Sequence, residues 1–204
     1  MKKKGMIIIV SAPSGAGKTS ICNSLIKSDK NIVYSISTTT RQPRKGEKNG
    51  KEYFFVDNKK FKDMVKKNLF VEYAKVHNYF YGTSKKMLEE TLNKGKDILL
   101  DIDVQGAIKI KKQYKDALMI FITTPTLKIL KERLIKRNKD LLDVINTRVK
   151  NAKKELMYLP RYDYLVLNDK LDVSIENVKS IIRAERLSIK RNKNIIGGKE
   201  NGCC

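Results

Sequence analysis

The chain has 204 residues, of which 41% are hydrophobic and 32% are charged, and this composition excludes a disordered or fibrous protein. The length allows one domain with one main core and is short for two independent domains. An excess of 44 Lys and Arg over 22 Asp and Glu gives a net charge of +22. Such a charge favours polyanionic partners, and nucleotide phosphates, nucleic acid and an anionic membrane all fit.

Two further features predict a soluble, cytoplasmic protein without a membrane partner. No run approaches the roughly 20 apolar residues that cross a bilayer, and the apolar run near the start is shorter than that of a secretory signal. Cys22, Cys203 and Cys204 have no spacing suited to a disulfide or metal framework, which favours a reducing compartment.

Four short apolar runs predict the strands of a parallel sheet. Residues 6–10 are a continuous, mostly β-branched run, which is typical of a strand buried on both faces. Residues 97–102 and 118–123 flank a helical pattern at 108–114, giving the order strand, helix, strand. Residues 164–167 are the fourth candidate. The pattern predicts an α/β fold.

The segments between these strands predict additions to the sheet. Residues 34–40 are rich in Ser and Thr, and residues 52–56 alternate as an exposed strand does, which indicates an insertion. Residues 127–157 are charged and helical with a break near Asn138, which is typical of a mobile cover. Residues 174–190 predict an amphipathic terminal helix.

The segment directly after the first strand is predicted to be a phosphate-binding loop. It runs Ala12-Pro13-Ser14-Gly15-Ala16-Gly17-Lys18-Thr19 and leads into a helical pattern from Ser20. Glycines let backbone amides turn toward phosphate oxygens, the helix presents its positive end, and Lys18 adds a full charge. The hydroxyl of Thr19 suits Mg²⁺, so ATP with Mg²⁺ is the predicted donor. Ala12 stands where the stricter pattern has Gly.

Two carboxylates, Asp101 and Asp103, follow a predicted buried strand at the sheet edge where parallel-sheet proteins place ligands. They are candidates for holding waters on Mg²⁺ or for contacting the acceptor. The alternative is that one of them only caps the helix that begins near Val104.

The segment after the first helix resembles the acceptor-binding lobe of guanylate kinases. Residues 37–44 read STTTRQPR, and Gly46, Gly50 and Tyr53 follow, matching the family pattern S-x-T-T-R-x-P-R and then G-E-x-x-G-x-x-Y. The likeness continues in FVEYA at 70–74, YGT at 81–83 and DIDVQG at 101–106, and it extends to about residue 186.

The resemblance implies a fold and an activity. The fold is a three-layer α/β/α core with a parallel sheet, a small mixed β lobe for the acceptor, and a helical lid. The activity is ATP-dependent phosphorylation of GMP, and of dGMP, to the diphosphate with release of ADP, in purine nucleotide metabolism and GMP recycling.

The acceptor residues that the resemblance implies also make chemical sense. Arg41 and Arg44, with a Pro between them, can form a fork around a phosphate dianion, and the hydroxyls of Tyr53 and Tyr81 complete it. In the family, the glutamate that matches Glu72 accepts from the guanine ring, while hydroxyls donate to its oxygen. The full predicted GMP-binding set is Ser37, Arg41, Arg44, Tyr53, Glu72, Tyr81, Thr83, Asp101 and Asp103.

The lid of the family contributes arginines that neutralise the transferring phosphoryl group and clasp ATP. Those that match are Arg133, Arg137 and Arg148, and the predicted catalytic residues are Lys18, Arg41, Arg137 and Arg148. The predicted ATP-binding residues are Ala12, Pro13, Ser14, Gly15, Ala16, Gly17, Lys18, Thr19, Ser20, Arg133, Arg137 and Asn168. Because a phosphate oxygen of GMP is already a nucleophile, no general base is expected.

The sequence is compatible with three other functions. A guanylate kinase-like peptide-binding module typically lacks the working phosphate loop, which this chain has. Binding of RNA or DNA would use the basic surface, although no aromatic stacking platform supports it. A kinase of the same fold could act on another phosphorylated acceptor, such as a ribose bisphosphate, but a sugar phosphate offers no ring donors for the carboxylate of Glu72.

The resemblance also implies a division of the chain. The core comprises 1–33, 90–126 and 158–190, the GMP-binding lobe is about 34–89, the lid is about 127–157, and 191–204 is expected to be a disordered tail. The oligomeric state is open, with a homo-oligomer among the alternatives. Two departures from the family are Asn138 in place of Gly and His77 before Asn78.

Overall fold

The computed structural model describes residues 4–76, 78–136 and 142–196, with side chains described as far as Asn192. The strands are β1 (Ile7–Ser11), β2 (Ile32–Tyr34), β3 (Thr38–Thr39), β4 (Phe54–Phe55), β5 (Phe70–Val76), β6 (Tyr79–Ser84), β7 (Asp97–Asp101), β8 (Leu118–Thr123) and β9 (Tyr164–Leu167). The helices are α1 (Lys18–Ser28), α2 (Asn58–Lys66), α3 (Lys85–Asn93), α4 (Val104–Gln113), α5 (Leu127–Lys136), α6 (Leu142–Leu156), α7 (Leu171–Leu187) and α8 (Ile189–Ile196), with a short 3₁₀ turn at Leu159–Arg161.

A parallel sheet with the order β2-β7-β1-β8-β9 forms the centre of the molecule. Every residue of β1 is buried, because the strand lies in the middle of the sheet with helices on both faces. Its side chains alternate between two cores. Ile8 and Val10 pack with α1 and α7, while Ile7 and Ile9 pack with α3 and α4. The predicted three-layer core is confirmed.

A second, smaller sheet has the order β4-β3-β6-β5 and mixes parallel and antiparallel pairs. The sequence predicted an exposed strand over residues 52–56, but the ladder is limited to Phe54–Phe55. The preceding residues instead form a turn, in which the Gly50 amide donates to the Tyr53 carbonyl at 2.8 Å. The expected mixed β lobe is present.

Near the two ends of the expected lobe, about 34–89, single residues pack with the large sheet. Tyr34 belongs to β2 of the large sheet, and Leu88 of α3 is fully buried in the main core. Both residues are apolar or aromatic side chains adjacent to the core strands, so burial draws them into the central layers.

Helices α5 and α6 pack against each other and form the third part of the molecule. The predicted break near Asn138 and the left-handed turn expected there fall in 137–141, outside the described residues, as does His77.

The chain end differs from the expectation of a disordered tail from residue 191. Residues 191–196 continue α8, and the Asn192 side chain donates to the carbonyls of Arg186 and Ser188 at 3.0 and 2.8 Å. The rest of the predicted tail, 197–204, lies beyond the described part. Of the helices described, none combines the length and apolar character needed to cross a membrane.

Candidate active site

The phosphate loop joins β1 to α1, and its two glycines are required by geometry. Gly15 and Gly17 have φ of 94° and 92°, a region that side-chain-bearing residues rarely adopt. A Cβ on Gly17 would also collide with Nδ2 of Asn168, and one on Gly15 would lie 3.0 Å from Cδ2 of Leu134. The loop is therefore packed tightly against α5 and the end of β9.

Lys18 is the first residue of α1, and its ammonium lies against the end of β7. Nζ of Lys18 is 2.5 Å from Oδ1 of Asp101. Burial by itself would lower the pKa of Lys18, but the Asp101 carboxylate more than offsets this, and the pKa lies above its ordinary value. Lys18 is thus a fixed positive charge at the mouth of the loop.

Asp103 caps the N-terminus of α4, which was one of the two alternatives that the sequence left open for this residue. Its Oδ1 accepts from the backbone amides of Gln105 and Gly106 at 2.6 and 3.2 Å. Asp101 and Asp103 nevertheless line one cavity with Lys18. The carboxyl end of β7 thus carries one carboxylate that holds a lysine and one that begins a helix.

This cavity, of about 170 Å³, opens between the phosphate loop and the small sheet. Its wall contains Glu72, which is only 6% exposed and accepts a hydrogen bond from Oγ1 of Thr83 at 2.6 Å. Burial raises the pKa of Glu72 to about 7, and the Thr83 hydroxyl partly opposes that rise. The residues around the cavity are Lys18, Ser37, Tyr53, Glu72, Val76, Tyr81, Asp101, Ile102 and Asp103.

Arg41 and Arg44 do not form a symmetrical fork. The Arg41 guanidinium donates to both carboxylate oxygens of Glu47 at 2.9 and 3.0 Å, and it lies 5.4 Å from the centre of the Tyr53 ring. The Arg44 side chain is exposed, and its backbone amide donates to Glu47 at 2.8 Å. Glu47 therefore organises both arginines through one carboxylate.

The aromatic residues predicted beside these arginines are close together. The rings of Tyr53 and Tyr81 meet edge to face with centres 5.8 Å apart. Both line the cavity that contains Glu72, so the structure brings these two predicted phosphate residues and the predicted base residue into one concave surface.

Helices α5 and α6 contact the other side of the phosphate loop. Arg148 of α6 donates to Oγ of Ser14 at 3.0 Å, and Arg133 of α5 donates to the carbonyl of Asp169 at 3.0 Å. Arg137 falls outside the described residues. Two of the three predicted lid arginines thus reach the loop or the segment beside it.

Asn168 directly follows β9 beside the loop and is buried, with 3% of its surface exposed. Its Nδ2 donates to the Ala16 carbonyl at 2.7 Å, while its buried Oδ1 has no hydrogen-bond partner within the described chain. A second cavity of about 380 Å³ adjoins it, lined by Gly15, Gly17, Ser20, Arg133, Lys136, Asn168, Asp169 and Leu171. The loop is thus held to the segment after β9 through the Asn168 amide group.

Several residues of the site were not found from the sequence. Glu47 lies inside the matched family pattern, and an acidic residue six positions after Arg41 is a weak signal for the ion pair. Glu155 of α6 has a pKa raised to about 7 by burial, with Lys18 opposing the rise. Burial raises the pKa of Tyr34, the nearby Asp101 carboxylate raises it further, and nothing in the local sequence marks this proximity.

Together, the fold and these two cavities define a phosphate-loop nucleotide kinase: a loop for one polyphosphate faces a separate lobe that can hold a second nucleotide. The guanylate kinase family model matches residues 4–185. The chain therefore belongs to the guanylate kinase family, and it is a kinase.

Individual relatives agree with this assignment. The chain is 44% identical to a guanylate kinase of Clostridium tetani over 194 residues, covering 95% of this chain and 93% of that one. It is 47% identical to a guanylate kinase of Nitrosomonas europaea over 185 residues, covering 91% and 92%. The crystal structure of guanylate kinase from Anaplasma phagocytophilum superposes with a TM-score of 0.78 at 35% identity, covering 94% of this chain and 91% of that one.

Proposed function

We propose that the two cavities divide the substrates, with ATP on the phosphate loop and GMP against Glu72. The reaction is the ATP-dependent phosphorylation of GMP to GDP. The observation that carries the division is that Lys18 and Glu72 line one continuous cavity, so a loop-bound phosphate and a base held by Glu72 face each other. Residues 34–89 then serve as the acceptor lobe and 127–157 as the lid.

Glu72 is proposed to select the base. A carboxylate accepts two hydrogen bonds at once, and the guanine edge offers a ring N–H and an amino group side by side. The hydroxyl of Ser37 lines the same wall and can donate to the guanine oxygen, while the Thr83 hydroxyl donates to Glu72 and holds the carboxylate in place. Because Glu72 is buried, a base without those donors would leave its charge unpaired, which is costly.

The phosphate of GMP is proposed to bind Arg41, Arg44, Tyr53 and Tyr81. The Arg41 guanidinium is held between Glu47 and the Tyr53 ring, so its position is defined before the substrate arrives. Arginine suits this role because its planar donors match phosphate oxygens in pairs. Asp101 and Asp103 complete the acceptor side.

Transfer is proposed to depend on positioning and charge, without a general base. Lys18, the loop amides and Arg148 surround the place where the transferred phosphoryl group would lie, and Arg137 is assigned the same task by its place in the lid sequence. Arg133, Ser20 and Asn168 are assigned to the remainder of ATP. Closure of the lid and the acceptor lobe would exclude water and so prevent hydrolysis of ATP.

Mg²⁺ is proposed as the cofactor, and the residues present fit it. The described residues form no cluster of three or more His, Cys, Asp or Glu side chains suited to a metal, and Mg²⁺ needs none, because it is held mainly by phosphates, waters and one or two protein oxygens. The exposed Thr19 hydroxyl in the first turn of α1 and, through water, Asp101 would hold it. When bound, the ion supplies charge neutralisation between the phosphates.

The same assignments support dGMP as a second acceptor. All proposed contacts are made to the base or the phosphate, and none needs the ribose 2′-hydroxyl. Either product would belong to purine nucleotide metabolism and the recycling of GMP, a role that also fits the proposed cytoplasmic location.

A coupled assay of ADP release tests the proposal. With GMP, dGMP, AMP, UMP and CMP at equal concentration, we expect turnover with the two guanine nucleotides and roughly a thousandfold less kcat/KM with the others, as for a site built around hydrogen bonds to one base. Glu72→Gln is expected to raise the KM for GMP with little change in the KM for ATP. A preference for AMP, UMP or CMP would refute the assignment of the acceptor.

A further inference from the structure

The strand that carries Glu72 is an edge strand, and α4 covers its open side. β5 is the last strand of the small sheet, so one row of its backbone groups lacks a neighbouring strand. The carbonyl of Val71 accepts from Nε2 of Gln113 at 2.9 Å, and the carbonyl of Tyr73 accepts from Nζ of Lys109. The two donors are four residues apart, one turn of α4.

A β-bulge makes this support necessary. The pairing of β5 with β6 shifts between Phe70 and Glu72, so Val71 is the extra residue of the bulge. A bulge leaves that residue outside the ladder and redirects the neighbouring side chain. Gln113 therefore satisfies a carbonyl that the sheet does not, directly beside the carboxylate that faces the cavity.

One turn before Lys109, α4 approaches the carboxylate itself. A Cβ on Gly106 would lie 2.7 Å from Oε2 and 3.1 Å from Cδ of Glu72, closer than real contacts allow. Gly106 is buried, although glycine in a helix interior costs roughly 1 kcal/mol relative to alanine. The absence of a side chain at this position thus makes room for the Glu72 carboxylate.

We propose that the face of α4 formed by Gly106, Lys109 and Gln113 positions the Glu72 carboxylate for the acceptor base, making these three residues positioning residues for guanine recognition. The inference rests on the proposed role of Glu72. It connects the two halves of the site, because α4 begins at Asp103 beside the Lys18–Asp101 pair and continues beneath β5.

The charges around Glu72 give the proposal a specific signature. Burial raises the pKa of Glu72 to about 7, the Thr83 hydrogen bond lowers it, Asp103 raises it, and Lys109 lowers it. The other titratable groups around it are Lys18, Tyr53, Tyr81 and Asp101 on the cavity side and Tyr73, Lys85 and Lys112 on the α4 side. Since the ionised form accepts the guanine donors, the KM for GMP should rise as the pH falls through about 7.

The decisive experiment compares Lys109→Met with Lys112→Met, a matched loss of one lysine charge from the same helix and the same groove. For Lys109→Met we expect a KM for GMP raised up to about threefold, and a pH profile of that KM displaced upward by about half a unit, the effect of one exposed charge. Lys112→Met should match the wild type, and Lys109→Arg should restore the profile. The KM for ATP and kcat at saturating GMP should stay unchanged.

Gly106→Ala tests whether the missing side chain at position 106 makes room for the Glu72 carboxylate. We expect the KM for GMP to rise between about tenfold and a hundredfold, since a displacement of about 1 Å can have that effect, while the KM for ATP is kept. Thermal melting of each variant shows whether it folds. If Gly106→Ala does not fold, the Lys109 and Lys112 pair decides alone.

Glu72→Gln separates failure of this inference from failure of the proposed function. If Glu72→Gln leaves the KM for GMP unchanged, the assignment of the base site is wrong. If Glu72→Gln weakens GMP binding but Lys109→Met gives the same pH profile as Lys112→Met, only the role of α4 is overturned.

Discussion

The phosphate loop and the acceptor cavity are built in different ways. The loop is one contiguous segment, 12–19, whose shape depends on backbone conformations at Gly15 and Gly17. The acceptor cavity collects side chains from β5, β6 and the turns before β3 and β4, with Glu72 buried among them. Binding by backbone amides depends on φ and ψ angles and on the room left by missing side chains. Binding by side chains depends on how deeply they are buried and on their charge.

The largest effect should follow loss of charge at the loop. Lys18→Ala is expected to lower kcat by about a thousandfold, because a positive charge aimed at the transferring group is removed and Asp101 loses its partner. The dissociation constant for GMP, measured by calorimetry, should change less than about threefold. Lys27→Ala, at the exposed end of α1, is the control. Turnover close to the wild-type value in Lys18→Ala would contradict the division of roles.

In the acceptor cavity we expect a conflict between stability and function at Glu72. Its pKa in the folded protein is about 7, above the unfolded value, so its contribution to stability is present at low pH and is lost as the pH rises through about 7. Glu72→Gln should therefore raise the free energy of unfolding at pH 8 by roughly 1–3 kcal/mol while impairing GMP binding.

Urea unfolding of both proteins at pH 5 and pH 8 measures this effect. The gain should be smaller at pH 5, where Glu72 is protonated in the folded state. Glu155, with a pKa near the same value, titrates in both proteins and cancels in the difference. An equal gain at both pH values would show that charge burial at Glu72 is not the cause.

The smallest effect is expected from alanine substitutions at two glycines, which separate the cost of backbone strain from the cost of a steric clash. Gly17 and Gly46 have almost the same φ, 92° and 89°, but a Cβ on Gly17 meets Asn168 and one on Gly46 meets nothing within 4 Å. Gly46→Ala should cost about 1–2 kcal/mol of stability through backbone strain alone. Gly17→Ala should cost more and should also raise the KM for ATP. Equal losses of stability, measured by thermal melting, would mean that the contact with Asn168 does not matter.

The phosphate loop could be predicted from the sequence because its function depends on neighbours along the chain. The same holds for the buried strands, whose apolar runs match β1, β7, β8 and β9 within one residue at each end. Two ion pairs, Arg41 with Glu47 and Lys18 with Asp101, could not be predicted from the sequence. Opposite charges are common along this chain, and only folding decides which of them lie close together. The packing of Tyr34 and Leu88 with the main core could not be predicted from the local pattern either, because it depends on contacts with strands far away in the chain.

By itself, the sequence determined the α/β class, the strand order along the chain, the phosphate loop and, through its resemblance, the kinase family. These features are local, because hydrophobic periodicity and glycine conformations act over a few residues. Only the tertiary structure decided that Asp103 is a helix cap, that Glu72 is buried enough to hold its proton near pH 7, and that α4 supports the bulged edge of β5. Those outcomes depend on burial and on contacts between segments far apart in the chain, which a pattern of residues does not contain.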